Sequence, residues 1–562
     1  MTDPRSGGQS AGPIRVRFAP SADGHLQVGD VRTALYGWAS ARHTGGTFVL
    51  RAEDIGATET DAQPVAALIE TLHWLGLNWD EGPDQDGPYG PYRQSERIGL
   101  YHQWAQQFLD TGYAYWCYCT TAERQARHGA APALEVPTAG VPAAQAPTTQ
   151  VPAATGPAAT QAPSGPSGPS SPSNSGDPTS PSSPSGPTSP DDPTSLSGPD
   201  DYDRYCRTLE PDQVQAYLAE GRQPVLRFRM PDGLTTYTDL LRGEITVDHR
   251  DVPDFVLMHA DGRPLYSLAT AVDDVMMRIT HIIRGEDRQF ATPRQIAVYR
   301  AMGLPENEFP VFAHLPHLLD QQGRKLSHRD GALSIDAYRQ QGFVPEALVN
   351  YLAGLGWSPP GGQDIFTLDD LVGGFELTEV SRTAPGFDPA RLETVNGTKI
   401  QALTPADFAR RVVPFLARAG LVDEPLSSDQ MWFIRDGAPL IQDRITRLTE
   451  APAQLAFLLV PDPDFGTRGV DAAAVLTPDA ATPLKAATEA LAALPDWDAP
   501  AVAQALQGAL VDDLGLPPET AFDPVRVAIT GRRDVPPLPE SLALLGRDLS
   551  LARLAAAQAS LP

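Results

Sequence analysis

The sequence predicts an α/β protein, with a parallel sheet interrupted by a long insertion and followed by an all-helical C-terminal third. Three observations carry that expectation. Strand and helix patterns alternate near the N-terminus, a Pro/Ser/Gly-rich tract separates them from a second alternating block, and beyond about residue 345 only helical periodicity remains.

Each element has a local reason. Ile14, Val16 and Phe18 alternate with Arg15 and Arg17, which is strand periodicity, and a Gly-containing loop leads into a helical pattern over residues 33–43. A strand over 47–52 follows, and then Val65, Leu68, Ile69 and Leu72 recur at helical spacing. Strand, helix, strand, helix in that order favours a parallel sheet. Residues 129–200 are almost entirely Ala, Pro, Ser, Gly and Thr, without the apolar periodicity that offsets ordering entropy, so disorder is expected there. Beyond it, strands are expected over 225–229, 244–247, 278–284 and 310–313, with a helix capped by Thr292 and carrying Pro293 in its first turn. A Gly-rich loop spans 321–331, and Ala/Leu-rich windows such as 483–494 and 541–557 read as helices.

Composition excludes several classes. At 562 residues the chain exceeds one domain, and three or four are expected at ~150 residues each. No run of ~20 apolar residues occurs, and residues 1–13 are polar without the basic start and apolar centre of a secretory signal. A cytoplasmic protein without a membrane partner is therefore expected. A net charge of -27 argues against indiscriminate nucleic-acid binding, so any RNA partner must meet a local basic strip. Lysine occurs only at Lys325, Lys399 and Lys485, and the other basic residues are arginine. Lysine is a compact point charge that arginine does not replace at a phosphate, so the chemistry of the three retained lysines draws attention. Cysteine occurs only at Cys117, Cys119 and Cys206, too few and too odd for a secreted disulfide framework, which leaves metal binding and inert burial both open.

Three segments carry a resemblance: RFAPSADGHLQVGD at 17–30, RAEDIG at 51–56 and KLSHR at 325–329. They look like class I aminoacyl-tRNA synthetase signatures. The stretches GPYRQSE at 90–96, IRGED at 283–287, TPRQI at 292–296 and NYLAGLGW at 350–357 are similar to glutamyl-tRNA synthetases in particular. The resemblance implies a Rossmann-type catalytic domain over 14–95 and 262–335, with a disordered 1–13 before it. An acceptor-stem-binding insertion is implied over 96–261, a stem-contact region over 336–402, and a helical anticodon-binding domain over 403–562.

It also implies a monomer that joins glutamate to tRNA(Glu), with ATP and Mg²⁺, through glutamyl-adenylate. Ser21, Gly24, Gln27, Gly29, Lys325 and His328 are implied at ATP, with Gln27, Lys325, Ser327 and His328 carrying catalysis. Arg17, Ala19, Ser21, Glu53, Tyr266 and Arg284 are implied at glutamate. Physically, a Gly-containing loop entering a helix turns backbone N–H groups toward a phosphate, and arginines pair bidentately with carboxylates. The pattern has departures. Position 27 is His in the family and Gln27 here, the second lysine of the Lys325 loop is His328, and Ile55, Gly56 and Thr270 replace Thr, Asp and Asn. A catalytically silent relative that binds tRNA or glutamate is the alternative these departures raise. Cys117, Cys119, Tyr202 and Cys206 resemble the three-cysteine, one-tyrosine zinc site of some members.

Overall fold

The structure is a computed structural model that describes residues 13–21, 25–55, 62–129, 202–326 and 334–562. Apart from residues 13 and 129, the expected disorder over 1–13 and 129–200 lies outside the described residues. The strands are β1 (Arg15–Phe18), β2 (Thr47–Leu50), β3 (Ala114–Cys117), β4 (Val225–Phe228), β5 (Leu234–Asp239), β6 (Gly243–Asp248), β7 (Val256–Met258), β8 (His281–Gly285) and β9 (Val311–Leu315). Six of them form one sheet in the order β2-β1-β8-β9-β5-β6, parallel except for the β5–β6 hairpin.

Both faces of the sheet are covered at strands β2, β1, β8 and β9, whereas β5 alternates exposed and buried residues. Phe48, Leu50, Ile283 and Ala313 join one core, while their strand neighbours Val49, Ile282 and Phe312 join another on the opposite face. Helix α1 (Val28–His43) packs on the first face. Helices α2 (Tyr266–Met276) and α3 (Thr292–Ala301) contribute Leu268, Val272, Ile296 and Val298 to the second.

Three differences from the sequence reading have physical causes. The strand pair at 234–248 lies inside the expected insertion, yet β5 pairs with β9 through Asp239↔Phe312, so the hairpin widens the main sheet. The insertion's own sheet is β3-β4-β7, antiparallel. Thr292 is the first residue of α3 and caps nothing with its side chain, because its hydroxyl is engaged by Arg284 at 2.8 Å. Window 541–557 contains parts of two helices, Leu538–Leu545 and Arg547–Ala559, divided where Gly546 takes a φ of 85.

Every described element from Pro345–Ala353 to Arg547–Ala559 is helical, as the periodicity predicts. Among the described residues no helix is long and apolar enough to cross a membrane.

Candidate active site

The carboxyl ends of β1, β8 and β9 open onto a cavity of about 280 Å³. In a parallel α/β sheet, ligands collect at this edge, where loops leave neighbouring strands. Arg17, Ala19, Ser21, Gln27, Gly29, Glu53, Tyr266, Arg284 and Lys325 all line it. Those are the described members of the expected ATP and glutamate sets; Gly24, Ser327 and His328 lie outside the described residues.

One wall is the N-terminus of α1. Gln27 is its N-cap, with extended backbone and no side-chain cap bond, and its N–H donates to Asp30 Oδ2 at 3.0 Å. Val28 and Gly29 follow on the cavity wall, so the positive end of a 16-residue helix meets the space. Lys325 lies in a loop anchored by Leu319, whose pairing with Lys325 brings the lysine to the same cavity.

The other wall rests on buried charge. Arg17 donates through Nε to Asp274 Oδ1 at 3.0 Å, and Arg51 donates to the same oxygen at 2.7 Å. Burial pushes the Asp274 carboxyl up, but the two guanidiniums outweigh it and hold the group below its ordinary value. Arg17 thus reaches the cavity with one nitrogen already committed. Asp273, beside it, accepts from Arg97 at 2.7 Å, Tyr101 at 2.8 Å and Gln94 at 2.9 Å. Glu53 accepts from Thr270 Oγ1 at 3.1 Å, so the residue at the family's Asn position touches the carboxylate expected to meet the ammonium.

Sequence reading missed two cavity groups. His317, two residues past β9, lines the space, and its backbone N–H donates to Glu286 at 2.8 Å. Burial, and then the charge of Lys325, lower its pKa, which keeps the imidazole neutral at pH 7. Arg288 also lines the cavity, its guanidinium 5.0 Å from the Tyr266 ring centroid. Their only sequence signal was position just beyond β9 and β8.

Comparison with known proteins shows the family. Residues 13–140 and 194–394 match the family model for class I tRNA synthetases (E and Q), catalytic domain, and residues 407–558 match an anticodon binding domain. A glutamate–tRNA ligase of Arthrobacter sp. (strain FB24) is 41% identical over 96% of this chain and 95% of its own length. The chain belongs to the glutamyl-tRNA synthetase family.

Another member of that family, from Rhodococcus jostii, is 42% identical over 97% of this chain and 98% of its own. A crystal structure of a glutamate tRNA ligase from Elizabethkingia meningosepticum, in complex with its amino acid, aligns with a TM-score of 0.71 at 27% identity, covering 98% of this chain and 100% of the other.

Away from the cavity, the sulfurs of Cys117, Cys119 and Cys206 lie within 4.8 Å of one another, with Cys119 and Cys206 3.2 Å apart. Tetrahedral ligation at a Zn–S length of ~2.3 Å separates sulfurs by ~3.8 Å, so the spacing fits a zinc-thiolate site with little adjustment. Tyr202 is buried beside them, and its hydroxyl accepts the Cys206 N–H at 3.0 Å. Arg127 donates to the Cys119 sulfur at 3.1 Å, and Arg227 stacks on the Tyr202 ring at 4.0 Å. Such cationic neighbours favour thiolates. Cys117 closes β3, and the 3-10 turn Tyr205–Thr208 supplies Cys206, so the cluster joins the two chain segments that flank residues 130–201.

Proposed function

We propose that this chain attaches glutamate to tRNA(Glu) in two ATP-dependent steps. In the first, a glutamate α-carboxylate oxygen attacks the α-phosphorus of ATP, and pyrophosphate leaves to give glutamyl-adenylate. In the second, a ribose hydroxyl of the terminal adenosine attacks the glutamyl carbonyl, and AMP leaves with the bonding electron pair. The observation that carries this reading is convergence: every described residue expected for either substrate lines one cavity at the carboxyl edge of the sheet.

The chemistry is chiefly positioning and charge neutralisation. The α1 N-terminus, Gln27 and Lys325 receive the phosphates, together with Ser327 and His328. Arg17 and Arg284 receive glutamate carboxylates, and Glu53 receives its ammonium. Mg²⁺, when bound with ATP, neutralises phosphate charge. The helical region 403–562 reads the anticodon, residues 336–402 meet the inner stem, and the insertion, less its β5–β6 hairpin, meets the acceptor stem. We assign a cytoplasmic monomer.

The test is tRNA-dependent charging with radiolabelled glutamate, ATP and tRNA from the source organism. Charging is expected. Retention of tRNA on the protein with no charging overturns this reading in favour of a silent relative, for which the Gln27 substitution and the Thr270–Glu53 hydrogen bond are the motivating observations.

Zinc is the second element of the proposal, held by Cys117, Cys119, Cys206 and Tyr202. Its contribution is structural, since it ties together the two segments that flank residues 130–201. Elemental analysis of the purified protein should find one zinc per chain, lost in Cys119→Ser together with a drop in melting temperature. A zinc-free protein with wild-type stability removes the metal from this account.

A further inference from the structure

Arg284 is held from behind by an imidazole, and a carboxylate decides which face that imidazole presents. Asp239, the last residue of β5, is fully buried with His314 of β9. One carboxylate oxygen accepts the N–H groups of Leu241 and Arg242, both at 2.9 Å. The other accepts the His314 backbone N–H at 3.1 Å and its ring Nδ1–H at 2.6 Å. An ionised carboxylate only accepts, so the ring proton sits on Nδ1. Burial lowers the His314 pKa and Asp239 offsets that only in part, so the ring is neutral and its Nε2 carries a lone pair. That lone pair accepts Arg284 Nε–H at 3.1 Å. Thr292 and Tyr266 then receive the outer nitrogens of Arg284 at 2.8 and 3.4 Å.

We propose that Asp239 and His314 are positioning residues for glutamate binding: by fixing the His314 tautomer they hold Arg284 at the angle from which it meets a substrate carboxylate. This rests on the reading of Arg284 as a glutamate-binding group. Neither residue touches the cavity, and both act through a hydrogen bond whose direction a single proton sets.

The consequence of Asp239→Asn follows from counting donors. If the amide oxygen stays on Leu241 and Arg242, the new NH₂ group faces His314 and requires Nδ1 to become an acceptor. The ring proton then moves to Nε2, where among the described residues only the Thr292 hydroxyl 3.2 Å away can accept it, and Arg284 Nε–H loses its acceptor. If the amide turns over, its NH₂ faces the two backbone N–H groups of the β5–β6 turn instead.

The experiment measures the glutamate and ATP KM values of full-length Asp239→Asn, His314→Phe, His314→Gln and Arg284→Lys in tRNA charging, with melting temperatures as a folding control. Nitrogen-15 spectra of histidine-labelled protein report the tautomer. Asp239→Asn and His314→Phe are expected to raise the glutamate KM about tenfold or more, the scale of one lost charge-assisted hydrogen bond, with the ATP KM unmoved. His314→Gln, whose amide oxygen takes the place of Nε2, is expected to stay near the wild-type KM. In Asp239→Asn the ring signal is expected to change from the Nδ1–H to the Nε2–H form.

A wild-type glutamate KM in His314→Phe, or a raised KM shared equally by His314→Gln, overturns the proposal. An unchanged glutamate KM in Arg284→Lys instead overturns the assignment of Arg284, which separates the two failures.

Discussion

Replacing Lys325 with Met lowers glutamyl-adenylate formation by about two to three orders of magnitude, the loss that follows removal of one preorganised donor to developing charge. The lysine lines the same cavity as the α1 N-terminus, and no described lysine other than Lys325 lines it. Lys325→Arg is expected to recover only part of the rate, because a planar fork does not occupy the place of a point charge. Removing the ammonium also removes a charge that depresses the His317 pKa, so His317 should titrate higher in Lys325→Met than in the wild type. The rate is read by pyrophosphate exchange in the presence of tRNA, and the titration by nitrogen-15 spectra of labelled histidine. Unchanged exchange in Lys325→Met removes the residue from the phosphate site.

Asp274→Ala is expected to destabilise the catalytic domain by about 3–5 kcal/mol, the cost of leaving buried charge without its partner. Here two guanidiniums, Arg17 and Arg51, lose an oxygen they share at 3.0 and 2.7 Å, and Arg51 is wholly inaccessible to solvent. The pH dependence follows from the sign of the shift. The folded carboxyl is lowered from its ordinary 3.8, so the unfolded state binds more protons in acid and stability rises with pH there. The contribution is complete above the unfolded value and is lost as pH falls through the folded one. Wild type should therefore lose stability below about pH 4 in a component that Asp274→Ala lacks. Urea unfolding followed by tryptophan fluorescence between pH 3 and 7 measures both effects. Equal midpoints at pH 7 would show that the network holds nothing together.

Much of the site was legible in local pattern and family resemblance. Strand periodicity placed Arg17 at the end of β1, the Gly-containing loop placed Gln27 and Gly29 at the start of α1, and the resemblance of KLSHR at 325–329 to a family signature singled out Lys325. Helical spacing likewise marked the C-terminal region, where no described strand occurs. These features depend on neighbours within a turn or two of chain, and periodicities of 2 and 3.6 record such neighbours directly.

What supports the site was not legible. Asp274 meets Arg17 across 257 residues of sequence, and Asp239 meets His314 across 75. Read alone, each is an acid or an imidazole with an ordinary surface role. Strand order and register decide otherwise, since β5 lies beside β9 only after the chain has left the main sheet for the insertion and returned. The same reason governs Thr292, whose position suggested a cap and whose hydroxyl is taken by Arg284.

The sequence by itself determined most of the main-sheet strands, the helical C-terminal region and the family, and it named residues that line the cavity. Only the tertiary structure decided which buried charges pair behind them, because a charge withdrawn from water takes whichever partner the packed fold brings within hydrogen-bond reach.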